Sequence, residues 1–174
     1  MLPSRKEVQL EGLRFTLPSA WERRLVATAT YRGGEGPLTF GLEHARLMAR
    51  PWTEPVRTGD EQWTYVESGA ATEEFGRRLA EALGEVLKAV DPHAGTLKGE
   101  PVIDTDVELW LGTWTETLGD LQCFAAAFRD PADSTGWTLA AALPRWPESD
   151  AEAWFDDLMN SVRLGPPEPK PFSF

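Results

Sequence analysis

The stretch from residue 121 to residue 128 constrains the fold most, because it is apolar at every position except Gln122. An apolar run of this length without alternation is typical of a central strand that is covered on both faces. Strand patterns at 102–117 and 137–143 lie on either side of it, separated from it by short turns. The sequence therefore predicts a three-stranded antiparallel meander that needs a layer above it and a layer below it.

Two stretches with helical spacing are available to cover such a sheet. Residues 72–90 carry apolar side chains three and four positions apart, and Thr72 is the predicted cap. Residues 149–164 repeat the pattern, with Ser149 and Glu152 at the spacing of a capping box. The sequence therefore predicts two amphipathic helices that shield the sheet.

The beginning of the chain shows the alternation of half-buried strands. Leu13, Phe15 and Leu17 recur with a period of two and stop at Pro18, which cannot donate to a ladder. Trp21 is then expected to fold back over the end of the sheet. Further strands are predicted at 8–10, 25–31, 38–48 and 62–67.

These elements predict a single α+β domain at residues 1–165, in which an antiparallel sheet has two main helices packed on it. Residues 166–174 follow as a tail that is too rich in proline for regular packing. A chain of 174 residues is long enough to bury an ordinary core without disulfides or metals.

Two short phrases carry a resemblance to a known superfamily. The first is Phe-x-Leu-Pro-x-x-Trp at residues 15–21, and the second is Ser-x-Arg at 161–163. With the order of strands and helices, they make the chain resemble the PsbP-like superfamily, which includes Mog-type Ran-binding proteins. Within it the chain is weakly similar to immunity proteins that neutralise type VI secretion effectors. The resemblance implies an α/β/α sandwich and a protein that binds a partner rather than one that catalyses a reaction.

The net charge of −11 is distributed unevenly. Residues 58–174 hold 22 acidic and eight basic side chains, whereas residues 1–57 hold six acidic and nine basic ones. Affinity for nucleic acid comes from cationic contacts to phosphate, so this balance argues against nucleic acid and favours a cationic protein partner. The alternative is that the acidic surface only keeps the chain in solution.

A cytoplasmic location is expected by default. Residues 1–7 lack the apolar core of a signal peptide, and no run reaches the roughly 18 apolar residues of a membrane span. Cys123 is the only cysteine, so no internal disulfide can form, and its apolar neighbours predict a buried, inert thiol. Because no apolar run is long enough to span a bilayer, we predict no contact with a membrane.

The candidate binding residues combine tryptophans with carboxylates. On the predicted strand 102–117, Trp110 and Trp114 share a face with Asp106 and Glu108. An exposed aromatic patch with an acidic rim has the composition of an interface hot spot and would suit a basic toxin or effector. The alternative is that Trp110 and Trp114 lie beneath a helix. The proposed site is completed by Trp52 and by Asp156 and Asp157 of the last helix.

The sequence contains no recognisable catalytic arrangement, so we expect a non-enzymatic protein without cofactor or metal. No serine lies in a Gly-x-Ser-x-Gly motif, and two separated histidines with one cysteine give no zinc spacing. Glu43 and His44 are adjacent on a predicted strand, so they should point to opposite faces. Two alternatives are a small-ligand pocket lined by tryptophans and, less favoured, a metal-dependent hydrolase that uses Asp104, Asp106 and Glu108.

Overall fold

The computed structural model describes residues 4–10, 12–24, 38–52, 67–105, 110–129 and 136–164. Within these ranges the chain forms two helices and ten strands, which are arranged in two antiparallel sheets. The helices are α1 at Glu67–Val90 and α2 at Glu148–Ser161. The strands are β1 at Arg5–Leu10, β2 at Leu13–Pro18, β3 at Glu22–Arg24, β4 at Leu38–Leu42, β5 at Ala45–Pro51, β6 at Val102–Thr105, β7 at Trp110–Leu118, β8 at Leu121–Arg129, β9 at Gly136–Pro144 and β10 at Arg163–Leu164.

The larger sheet has seven strands in the order β3-β4-β5-β9-β8-β7-β6, and the smaller sheet has the order β1-β2-β10. Neighbouring strands are antiparallel throughout both sheets. In β8, Gln122 is half-buried and every other residue is buried. The prediction of a central strand covered on both faces is therefore confirmed.

Helix α1 covers one face of the larger sheet. Its residues Phe75, Leu79 and Leu83 are fully buried, and they pack on the central strands β8 and β9, whose side chains on this face are mostly small. Small side chains in the central strands let the helix approach closely, so the large residues of the helix fill the space. The small residues on this face are Ala125 and Ala127 of β8 and Ala140 and Ala142 of β9.

Helix α2 and the smaller sheet together cover the opposite face. The alternating residues Leu13, Phe15 and Leu17 of β2 are fully buried there, as their pattern predicts. Trp21 is also buried and stacks on Trp154 of α2, with ring centroids 5.0 Å apart. The α+β class and the α/β/α layering are confirmed, with the three-stranded sheet as an addition beside α2.

The single strand expected at 102–117 is wrong. The chain forms a hairpin of β6 and β7 instead, in which Val102 lies opposite Thr113. The alternation of side chains continues along both arms of a hairpin, so a period of two alone does not reveal the reversal. Residues 106–109, which connect the two strands, lie outside the described residues.

The single strand expected at 38–48 is wrong for the same reason. Strands β4 and β5 pair with Leu42 opposite Ala45, which leaves Glu43 and His44 as a two-residue turn. Glu43 has a φ of 50°, the left-handed conformation that such turns require. Glutamate rarely adopts it, so the sequence gives no turn signal here. The expectation that these two side chains face opposite sides of a strand is therefore also wrong.

Both helices begin earlier than predicted. Helix α1 starts at Glu67 instead of Thr72, and α2 starts at Glu148 directly after an extended Pro147. No side chain caps the start of α2, so the predicted capping box of Ser149 does not form. The strand expected at 25–31, residues 62–66 of another expected strand and the tail 166–174 lie outside the described residues.

Helix α2 ends at Ser161 rather than continuing to residue 164. Val162 is extended, and the next two residues form β10, which pairs with β2. The Ser161 hydroxyl accepts a hydrogen bond from the backbone N–H of Thr16 at 2.9 Å. Pairing with a distant strand therefore overrides the helical spacing of the sequence.

Candidate interaction surface

The outward side of α2 carries the densest negative charge in the described part of the chain. Its inward side chains, spaced three and four positions apart, are Ala151, Trp154, Phe155 and Leu158. The remaining positions face solvent and are dominated by carboxylates. The exposed carboxylates, which we call the acidic face, are Glu148, Asp150, Glu152, Asp156 and Asp157.

Three members of the acidic face follow one ridge of the helix. Glu148, Glu152 and Asp156 are each four positions apart, so neighbours on this row lie one turn from each other. Like charges at this spacing destabilise a helix by a few tenths of a kcal/mol per pair. Within the described residues none of the three forms an ion pair, whereas Asp157 contacts Arg5 at 3.5 Å.

Helix α1 distributes its charges in the opposite way. Arg77 and Arg78 lie on neighbouring ridges, and Glu74 pairs with both arginines. Arg77 also contacts Glu81 at 3.0 Å. The hydrogen bonds that Arg77 donates to Glu74, with the nearby negative charge, raise the pKa of Arg77. Helix α1 therefore neutralises Glu74 and Glu81 with its own arginines, and its Glu85 pairs with Arg50 of β5, whereas in α2 only Asp157 has an ion pair within the described residues.

The expected exposure of Trp52 is wrong, and for Trp114 the alternative, burial beneath a helix, is correct. Only 7% and 8% of their surfaces are exposed, and both pack in the core beneath α1. The Trp52 indole donates to Thr138 at 2.9 Å, and its ring lies 5.2 Å from that of Phe75. The guanidinium of Arg78 covers its other side at 4.5 Å. Both rings are therefore buried within the described part of the chain, and neither lines the depression described below.

Trp114 instead belongs to a clamp built around Glu116. The Glu116 carboxylate accepts hydrogen bonds from the backbone N–H groups of Lys98 and Gly99 and, at 3.2 Å, from the Trp114 indole. Burial alone would raise the pKa of this carboxyl, but the backbone donors and the indole together hold it below its ordinary value. The clamp fastens the segment after α1 to β7.

The other residues of the proposed aromatic patch are placed only in part. Trp110 is the first residue of β7, where its backbone lies opposite Arg129 and Thr105. Asp106 and Glu108 lie outside the described residues, and Asp104 is exposed on β6. Over the described ranges, no group of three or more His, Cys, Asp or Glu side chains could hold a metal ion.

Cys123 is fully buried in the core beneath α1. Burial away from water, with the negative charge of Glu116, raises the pKa of its thiol to about 11. A thiol this weakly acidic holds almost no thiolate at neutral pH, so it is a poor nucleophile. The prediction of a buried, inert thiol is confirmed.

Sequence reasoning did not identify Trp146 as a surface residue. Trp146 is half-buried and packs against Trp21 and Trp154, with ring centroids 6.5 Å and 6.2 Å away. It directly precedes the start of α2, so a half-exposed aromatic ring adjoins the acidic face. The one available signal was the Trp-Pro pair at the helix start.

A shallow depression at the end of the larger sheet was also not predicted. Its volume is about 280 Å³, and its polar lining residues are His44, Asp91, Asp120 and Arg145. Arg145 has a φ of 62°, and its backbone N–H donates to the carbonyl of Asp120 at 2.8 Å. These residues come from four separate turns and helix ends, so no local pattern could indicate that they meet.

Solved structures of other proteins share this architecture. No protein-family model and no curated protein matches the chain. Among solved structures, the solution structure of the cyanobacterial PsbP protein CyanoP from Synechocystis sp. PCC 6803 matches with a TM-score of 0.63 at 11% sequence identity, over 95% of each chain. This chain has the PsbP-like fold. A variant of the protein Mog1 also matches, with a TM-score of 0.42 at 11% identity, over 92% of this chain and 96% of the other.

The PsbP-like fold confirms the architecture that the sequence phrases implied. At 11% identity the likeness to CyanoP shows the fold alone, so the function of this chain depends on its own surface residues. In this fold α2 lies on one face of the larger sheet with its acidic face outward. No helix in the described ranges is long and apolar enough to cross a bilayer.

Proposed function

We propose that this chain is a non-enzymatic protein-binding domain whose acidic face binds a basic partner protein. The observation that carries the proposal is the row Glu148, Glu152 and Asp156, which repeats a carboxylate at every turn of one exposed ridge. This arrangement costs helix stability, because each neighbouring pair repels. A cationic surface placed against the row would turn that cost into a favourable interaction.

The contrast with α1 supports a role beyond solubility. Charges that serve only to keep a surface hydrated can be mixed, and α1 mixes them in ion pairs of Glu74, Arg77, Arg78 and Glu81. Helix α2 has no basic residue in its last turn, although a cation there would favour the helix dipole. Glu148 and Asp150 in the first turn favour the dipole, but Glu152 and Asp156, further along the helix, have no ion-pair partner among the described residues.

Trp146 supplies the aromatic component of the proposed interface. Its half-buried ring is fixed by Trp21 and Trp154, so little conformational freedom would be lost on binding. Tryptophan is enriched among the residues that dominate binding energy. We infer that a partner contacts Trp146 and the first turns of α2 together, through arginine or lysine side chains.

The specific role we propose is that of an immunity protein that neutralises a toxin effector. The resemblance of the 15–21 and 161–163 phrases to immunity proteins of type VI secretion supports it, and so does the acidic face, which could cover a basic active-site entrance. The acidic face would speed association with such a toxin through electrostatic steering.

Co-elution of the purified chain with the product of a neighbouring gene tests the proposal. We expect a complex that Glu152→Lys weakens by about tenfold or more, while Glu73→Lys binds as the wild type. Glu73 is exposed on α1, so the control makes the same change in net charge on the other side of the sheet. Absence of any complex with neighbouring products would refute the proposal, and so would equal weakening by both variants.

A further inference from the structure

The smaller sheet brings two arginines into direct opposition. In the pairing of β10 with β2, Arg163 lies opposite Arg14, and the next pair is Leu164 opposite Leu13. Leu13 is fully buried and Leu164 packs against the same core, so the two arginines point to the outer face of the sheet. Directly opposed residues have their Cβ atoms about 4.5–5.5 Å apart.

Two like charges in this position destabilise the sheet unless something neutralises them. Over the described residues neither arginine forms an ion pair. Arg163 donates through Nη1 to the backbone carbonyls of Asn160 and Val162, at 3.0 Å and 2.7 Å. Glu7 lies on the same face, opposite Thr16, yet it pairs with neither arginine. Among the described residues, which include neither Glu11 nor the chain after Leu164, the two arginines have no carboxylate partner.

Arg14 adds a second, independent observation. Its Nε is buried and has no hydrogen-bond partner. Buried polar groups almost always have a partner, and a site that lacks one is often completed by a bound ion or water. On β1, Gln9 lies opposite Arg14 and is exposed, so its side-chain amide is available beside the two guanidinium groups.

We propose that Arg14 and Arg163 form a binding site for a phosphate group. Two adjacent guanidinium groups carry two positive charges, which a doubly charged phosphate balances and a carboxylate balances only by half. Phosphate also accepts several hydrogen bonds, so it can contact the guanidinium groups of Arg14 and Arg163 together. The buried Nε of Arg14 donates to it only after the half-buried side chain turns outward. The site lies on the smaller sheet and does not depend on the function proposed for the acidic face.

The site predicts that phosphate stabilises the wild type specifically. Thermal unfolding is compared in 10 mM phosphate and in sodium chloride of equal ionic strength. With a dissociation constant of about 1 mM, 10 mM phosphate shifts the folding equilibrium about tenfold and raises the Tm by about 3–6 °C. Arg163→Gln, at an exposed position, should abolish most of this shift. Arg23→Gln changes an exposed arginine of β3 and should retain it.

The same variants test the repulsion between the arginines. In chloride, Arg163→Gln should be at least as stable as the wild type, because it removes the opposed charge. Arg14→Gln should also abolish the phosphate shift. A specific effect is thereby separated from the general stabilisation of proteins by phosphate, which all variants would share. An equal shift in the wild type and Arg163→Gln would overturn the proposal.

Titration calorimetry distinguishes the source and the class of the anion. Tighter binding of glycerol phosphate than of inorganic phosphate would indicate a phosphorylated metabolite, and the reverse would indicate free phosphate. Either result supports the site, provided that Arg163→Gln weakens it by about tenfold or more. Acetate should bind at least tenfold more weakly than phosphate. Acetate binding as tight as phosphate, or no saturable binding of either phosphate, would refute it.

Discussion

Glu152→Lys is expected to stabilise the protein even though it alters the proposed binding face. Glu152 is exposed at the centre of the row, with Glu148 one turn before it and Asp156 one turn after it. The change removes two repulsions and creates two attractions, each of about 0.2–0.5 kcal/mol. The free energy of unfolding should therefore rise by about 1–2 kcal/mol. For a chain of this size that corresponds to a Tm increase of roughly 2–8 °C.

Differential scanning calorimetry at low ionic strength measures this gain directly. Glu152→Gln removes only the repulsions, so it should give about half the increase. The gain should shrink strongly in about 1 M salt, where the Debye length falls to about 3 Å. If Glu152→Lys is more stable than the wild type but binds the partner more weakly, the loss of binding is not caused by unfolding. No gain, or a gain unaffected by salt, would refute the electrostatic reasoning about the row.

Three further predictions concern stability. Glu116 has a lowered pKa in the folded state, so its ionised carboxylate stabilises the protein above the unfolded pKa, and this stabilisation is lost as the pH falls through the folded pKa. The free energy of unfolding, measured with urea across pH 3 to 7, should therefore depend less on pH in Glu116→Gln than in the wild type. Gly136→Ala should cost about 1–3 kcal/mol by overpacking, since its Cβ would lie 2.5 Å from the backbone carbonyl oxygen of Phe128 and 2.6 Å from the buried Trp52 ring. Gly84→Ala meets no atom within 4 Å and should gain about 0.5–1 kcal/mol, and equal effects of the two changes in chemical denaturation would contradict the packing argument. Ser161→Ala should cost about 1–3 kcal/mol, because a backbone N–H of β2 loses its acceptor; an unchanged urea midpoint would show that this bond contributes nothing.

The sequence predicted the elements whose signal is local. The apolar run at 121–128 and the alternation at 13–17 correspond to buried strands, because side-chain periodicity alone fixes which face is covered. It missed the hairpin turn at Glu43 and His44, since a left-handed glutamate gives no turn signal. It extended α2 through 162–164, because helical spacing does not show that a distant strand will pair with these residues.

The candidate surface was predicted only where it depends on one element. Asp156 and Asp157 are exposed on α2, because their positions relative to the apolar stripe follow from helical periodicity. Trp114 has the alternation of an exposed strand face, yet α1 covers that face. Trp52 is buried for the same reason, since a loop tryptophan becomes core when a helix packs over it.

The sequence by itself determined the buried central strand, the apolar stripes of both helices and the row of carboxylates on α2, because each depends on spacing within one segment. Only the tertiary structure decided that α1 covers Trp52 and Trp114, and that Arg14 faces Arg163. Those contacts depend on register and layering between segments far apart in the chain. The free energy that selects one register over another comes from burying the whole core, and no single segment specifies that core.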